Sequence, residues 1–256
     1  MAEIDIFLAA LALSVIVFAA LWPVSLVMRD VSIVDGWWGP GFLGAAALAA
    51  YLSAPQSERG WLLLGLVGVW AARLGFVLIR RRVRHGQEDG RYVVIRKGWG
   101  ASFWWKSFFI VFLLQGFLQW VVAIPALAGI AADASPLGVV GYLGAAMAVL
   151  GFCVEAKADA ELDAFKRSAK PGELLTGGLR SFVRHPNYLG EMIFWWGVWL
   201  IAAEAGAWWT IFGPITLCVL LTKVSGAGIT SEYLEKTKPE FSGYARRTPA
   251  FIPSLR

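Results

Sequence analysis

The sequence predicts an all-α integral membrane protein with seven transmembrane helices, its N-terminus outside and its C-terminus cytoplasmic. Three observations carry that prediction. Of 256 residues, 58% are hydrophobic and 16% charged, against about 25% charged in soluble domains. A mean hydropathy of +0.61 gives more apolar surface than one packed core hides, so lipid must meet the rest. The 23 Lys and Arg residues are distributed unevenly between apolar stretches of near-membrane length, which sets an orientation.

Taken in order, the predicted spans are Ile6–Met28, Trp37–Leu52, Trp61–Ile79, Ser107–Ile130, Pro136–Val154, Tyr188–Ala203 and Ala207–Leu221. The second and sixth are short for a bilayer core of about 30 Å. The first follows Met-Ala-Glu-Ile-Asp, which lacks the basic start of a signal peptide, and is expected to be retained. No repeat of fixed period divides the chain, so one membrane domain, 1–256, is expected. Eight Lys and Arg fall in Arg80 to Lys106, six in Glu155 to Asn187 and six in Lys223 to Arg256. With Arg29, this places 21 of the 23 on one face, and basic loops resist translocation. The opposite face keeps Glu3, Asp5, Glu58, Arg59, Asp133 and Glu204 on short connections. Chemistry is therefore expected on the cytoplasmic face, of the cytoplasmic membrane in a bacterium.

The net charge of +5 follows from that topology and from attraction to anionic headgroups. The run Arg80-Arg81-Arg82-Val83-Arg84 reads as a membrane-surface anchor, with membrane lipids as partners and no nucleic acid. Trp61, Trp99, Trp104, Trp105, Trp208 and Trp209 lie near span ends, at headgroup depth. Cys153 and Cys218 sit in apolar runs and read as small core hydrophobes. No oligomer interface is legible, and a monomer is expected.

Ionisable groups in or beside spans are costly and mark sites; Arg73, Glu155, Glu191 and Lys223 qualify. Glu155, Asp159, Asp163 and Lys166 follow helical spacing beyond the fifth span, as a solvated helix end or as part of a site. No His accompanies these carboxylates, and no metal is expected. Lys170 to Glu191 packs turn residues, then cations, then a helix start at Pro186, which suits the first helical position. Free amides there, flanked by Arg180, Arg184 and His185, make an anion site for a cofactor phosphate or a lipid headgroup. Asn187 and Glu191 share a helix face, and Gly190 between them admits a ligand or another helix to the backbone. The tail from Ser231 to Pro253 is expected to fold back. Its Arg246 and Arg247 beside Tyr244 suit a 2′-phosphate and an adenine ring.

Lys170 to Glu191, the preceding Glu155-Ala-Lys-Ala-Asp159, the loop His85 to Tyr92 and the ending Tyr244 to Pro253 together resemble the steroid 5α-reductase family, especially its bacterial branch. The resemblance implies a seven-helix fold, NADPH bound in a cytoplasm-facing cavity built largely from residues 131–256, and reduction of an enone double bond. The lipophilic substrate would enter among the helices of residues 1–130. Asp159 and Lys166 match polar family positions near the cofactor; Asn187, Tyr188 and Glu191 match its Asn-Tyr-x-Gly-Glu motif. Arg184 and His185 flank that motif, and Tyr244, Arg246 and Arg247 match the cofactor-closing end. The Gln-Glu pair and the Tyr with which mammalian members hold the steroid carbonyl are not visible. Asp35, in Val-Asp-Gly-Trp-Trp, is the nearest acid and is assigned to polarise the enone oxygen between the walls Trp37 and Trp38. Glu191 is assigned to orient the nicotinamide side or the substrate.

Arg-His-Pro-x-Tyr-x-Gly is also similar to the motif of isoprenylcysteine carboxyl methyltransferases, which implies S-adenosylmethionine instead. Asn187 before Tyr188, the acidic stripe and the cationic surplus favour the reductase. A membrane scaffold or transporter is a third reading. The gathering of polar groups at one face, rather than at mid-membrane in repeated broken helices, argues against transport.

Overall fold

A computed structural model describes residues 3–54, 57–132, 136–170, 172–224 and 227–252. Asp133 and Pro253 lie outside them. Among the described residues every regular element is helical. Five segments are long and apolar enough to cross a bilayer: Glu3–Met28, Glu58–Arg84, Gly90–Ala131, Val139–Ser168 and Ala207–Val224. This is the mark of a multi-pass membrane protein. Helices also form at the two spans expected to be short, but Trp38–Ser53 has only 16 residues, and three Trp residues and two glutamates lower the hydropathy of Pro186–Glu204.

The chain divides into two compact units, residues 1–141 with 201–213, and 142–200 with 214–256. In the first, α1 (Glu3–Met28) ends at Arg29, whose φ of 54° reverses the chain. A 3-10 segment, Val31–Trp37, follows, and the Asp30 carboxylate caps it by accepting from the Ser32 amide at 2.8 Å. Helices α2 (Trp38–Ser53) and α3 (Glu58–His85) come next. The basic end of α3 runs to Gly86, whose φ of +63° only glycine adopts without strain. A short helix, α4 (Gly90–Trp99), is capped by Asp89. Then α5 (Phe103–Ser107) passes through a π turn, Phe108–Leu113, into α6 (Leu114–Ala131). Phe18, Leu21, Val31, Val34, Phe103 and Phe112 bury themselves together, with Tyr92 of α4 among them. At the far end of α3 the buried Arg59 guanidinium donates to Glu204 at 2.9 Å and to the Pro136 carbonyl at 3.0 Å. Glu204 also accepts from the amides of Gly138 and Gly141.

In the second unit α7 (Val139–Ser168) and α8 (Pro186–Glu204) touch backbone to backbone. A Cβ on Gly190 would stand 2.5 Å from the Glu155 amide nitrogen, so it is another helix that the glycine admits. After α8 come α9 (Phe212–Val219), α10 (Ala227–Thr237) and α11 (Phe241–Arg247). The tail folds back as expected: the amides of Arg184 and His185 donate to the carbonyls of Pro249 (2.9 Å) and Ala250 (3.2 Å).

Candidate functional site

The expected residues fall in both units. Asp35 belongs to the first, on the 3-10 segment before α2. One carboxylate oxygen accepts from the Tyr92 hydroxyl at 2.7 Å and the other from the Arg91 guanidinium at 2.7 Å. Tyr92 is buried, and its oxygen in turn accepts from the Gln115 side-chain amide at 2.9 Å. The Trp38 indole closes the chain by donating to Gln115 Oε1 at 2.7 Å. Each polar atom in this row has one consistent role, which fixes the orientation of the Gln115 amide. Arg91 is itself held at 2.9 Å by Asp89, the cap of its own helix.

Burial pushes the Asp35 carboxyl above the ordinary carboxylate range, against the pull of the Arg91 guanidinium and the Tyr92 hydroxyl. A quarter of the side chain still meets solvent, and the Arg91 guanidinium stands against it. Asp35 is thus one member of a carboxylate–phenol pair rather than a solitary acid. The hydroxyl presented within the apolar core is that of Tyr92.

Sequence reading missed Tyr92, Arg91 and Gln115. The signal available was the pair Gln115 and Gln119, one turn apart inside an apolar span, where polar side chains are spent on specific partners. Gln119 donates to the Trp38 carbonyl at 2.9 Å, so both glutamines fix the start of α2. Trp38, expected as an apolar wall, works through its N–H, while Trp37 is exposed.

The second unit gathers most of the residues expected to hold a cofactor. His185 is buried before the first turn of α8, its ring stacked on Tyr188 at 5.7 Å and tilted on Phe251 at 5.6 Å, with Ser231 Oγ 3.4 Å from Nε2. Burial first, then Arg184 and Arg180, lowers its pKa to about 4, so the ring is neutral at pH 7. The Arg184 guanidinium lies 5.8 Å from the Phe241 ring, and its buried Nε has no hydrogen-bond partner among the described residues. Arg180 is buried and donates to the Ala158 carbonyl at 3.2 Å. Asn187 and Glu191 are half-buried on α8.

Asp159 and Glu155 are both buried, which removes the solvated-helix-end reading for this part of the stripe; Lys166 is exposed in the last turn of α7. Tyr244 is buried, its hydroxyl donating to the Arg180 carbonyl at 2.6 Å. Its ring packs edge-on against Phe241, so in this conformation it anchors the tail rather than offering a face to a base. Arg246 and Arg247 are exposed at the end of α11.

Among the described residues no group of three or more His, Cys, Asp or Glu is placed to hold a metal ion. The chain is 30% identical over 118 residues to a nickel-cobalt-cadmium resistance protein, NccN, of Alcaligenes xylosoxydans xylosoxydans, covering 45% of this chain and 49% of that one. It is 25% identical over 279 aligned positions to the uncharacterised protein C594.04c of Schizosaccharomyces pombe, covering 97% of this chain and 80% of that one. No solved structure matches. The model of one family, described as a protein of unknown function (DUF1295), matches residues 21–248, and the chain belongs to that family.

Proposed function

We propose that the chain is a seven-span membrane reductase, N-terminus outside and C-terminus cytoplasmic, that uses NADPH to reduce an enone C=C bond in a lipophilic, steroid-like substrate. The observation that carries this reading is the Tyr92–Asp35 pair: a phenol fixed by a carboxylate on one side and a glutamine amide on the other. It is the kind of donor an enone oxygen needs as negative charge grows on it, and low-dielectric surroundings strengthen such a donor. It sets a tyrosine beside an acid, though on α4 and on the 3-10 segment before α2 rather than within the second and third spans where the steroid 5α-reductase resemblance puts them. The residues of the second unit fit a phosphorylated dinucleotide, because the orphaned Arg184 Nε and the exposed Arg246 and Arg247 are donors suited to phosphate oxygens.

When bound, NADPH supplies the hydride for the β-carbon. Tyr92 turns its proton from Asp35 to the substrate oxygen and stabilises the enolate that forms there, and a proton from solvent at the α-carbon completes the reduction. Asp35 and Gln115 keep the phenol in place, and Arg91 keeps Asp35 oriented. Glu191 is assigned to orient the nicotinamide side or the substrate, with Asp159, Lys166, Arg184, His185, Asn187 and Tyr188 along the cofactor.

The test is loss of NADPH absorbance in detergent with a panel of 4-ene-3-keto steroids and isoprenoid enones. Tyr92→Phe is expected to slow turnover about 10²- to 10³-fold while leaving NADPH binding intact. Unchanged turnover in that variant would remove Tyr92 from the chemistry. Thermal stabilisation by S-adenosylmethionine, with NADPH inert, would support a methyltransferase instead, and stabilisation by neither would support a scaffold or transporter.

A further inference from the structure

The two ends of the first unit carry opposite charge. Around the α1 terminus, the end of α3, α4 and α5 stand Arg29, Arg80, Arg81, Arg82, Arg84, Arg91, Arg96, Lys97 and Lys106, against four acids. Those acids are already bridged: Asp30 to Arg82, Asp35 and Asp89 to Arg91, Glu88 to Arg96. The rim therefore keeps a formal excess of positive charge for which its own acids supply no balance. At the far end of α3, Arg59 follows Glu58 and pairs with Glu204, and α1 opens with Glu3 and Asp5 in its first turn. The 28 residues of α3 measure about 42 Å, close to the 40–45 Å of a bilayer with its headgroups. The cationic end thus lies at headgroup depth.

Aromatic side chains fix that depth. The Lys106 ammonium lies 5.9 Å from the Trp99 ring and 5.7 Å from the Trp105 ring. Trp104 and Trp105 are exposed, and Trp22 ties the segment to α1 by donating to the Trp104 carbonyl at 3.0 Å. Arg29 is exposed on the neighbouring turn, whose carbonyl accepts from Arg96, and Lys97, the next residue along α4, is exposed.

We propose that Arg29, Lys97 and Lys106, with Trp99 and Trp105, form a seat for the headgroup of an anionic phospholipid. The occupant is a lipid rather than a soluble phosphate or a nucleic acid because the cations are interleaved with exposed indoles, which settle at the membrane interface. The basic run at the end of α3, by contrast, has Arg82 committed to Asp30.

The experiment is a titration of the full chain, in a non-ionic detergent, with short-chain phosphatidylglycerol, with phosphatidylcholine of the same chains and with inorganic phosphate, read by melting temperature. Phosphatidylglycerol is expected to stabilise more than phosphatidylcholine, with a gap that shrinks as salt rises, and inorganic phosphate is expected to do nothing. Lys97→Gln with Lys106→Gln should weaken the phosphatidylglycerol midpoint about fivefold per cation and leave the phosphatidylcholine response unchanged. Should the double variant fold poorly, Arg29→Gln alone, at an exposed side chain, is expected to give the single-cation loss. Equal stabilisation by the two lipids, an equal effect of inorganic phosphate, or an undiminished gap in the variants would overturn the proposal.

Discussion

Tyr92 and His185 show how one buried polar side chain acquires a defined task from its neighbours. Tyr92 has a single hydroxyl proton, and with Asp35 accepting it and Gln115 donating to the oxygen, the phenol can turn that proton only toward a ligand able to compete with a carboxylate. An oxygen gaining negative charge is such a ligand. His185 is held neutral by burial and by Arg184 and Arg180. Its pKa is about 4 in the folded state and about 6.5 unfolded, so between these values the unfolded chain binds more protons. Stability is therefore full above pH 6.5 and falls as pH drops toward 4, by up to roughly 3 kcal/mol. Denaturation followed from pH 7.5 to 4.5 should show that loss, and His185→Phe should flatten it. A wild-type profile no steeper than that of the variant would contradict the neutral, buried imidazole.

Helices α7 and α8 show what an element owes to its smallest residues. With no solvent to drive apolar faces together inside lipid, close backbone contact does much of the work. Gly190 and Gly151 let α8 approach until each Cβ position is already occupied by the partner's backbone. Gly190→Ala should cost about 1–3 kcal/mol in reversible unfolding, with α8 forced outward. No measurable cost would mean that the helices stand further apart.

The helical, membrane-embedded character and the five long apolar helices were legible because apolar length needs no partner to be recognised, and the tail's return was legible in its prolines. The pairing of Asp35 with Tyr92 was not, because 57 positions separate the two residues and only the fold of α4 against the 3-10 segment joins them. Tyr244 misled in the other direction. An aromatic beside two arginines reads as a nucleotide platform, yet its ring and hydroxyl are consumed in anchoring the tail.

At the scale of the whole molecule, charge and apolar length agree on a membrane protein whose polar side chains collect where helices end. The sequence placed the acid, the cations and the motif Arg184 to Glu191, while their partners emerged only from packing. The central claim is that these groups bind a phosphorylated nicotinamide nucleotide. The most direct measurement is the melting temperature of the detergent-solubilised full chain with NADPH, NADH or S-adenosylmethionine. An upward shift of about 2–4 °C per kcal/mol of binding linkage is expected with NADPH, a smaller one with NADH, and loss of the difference in Arg246→Gln with Arg247→Gln. A shift with S-adenosylmethionine and none with NADPH would contradict it.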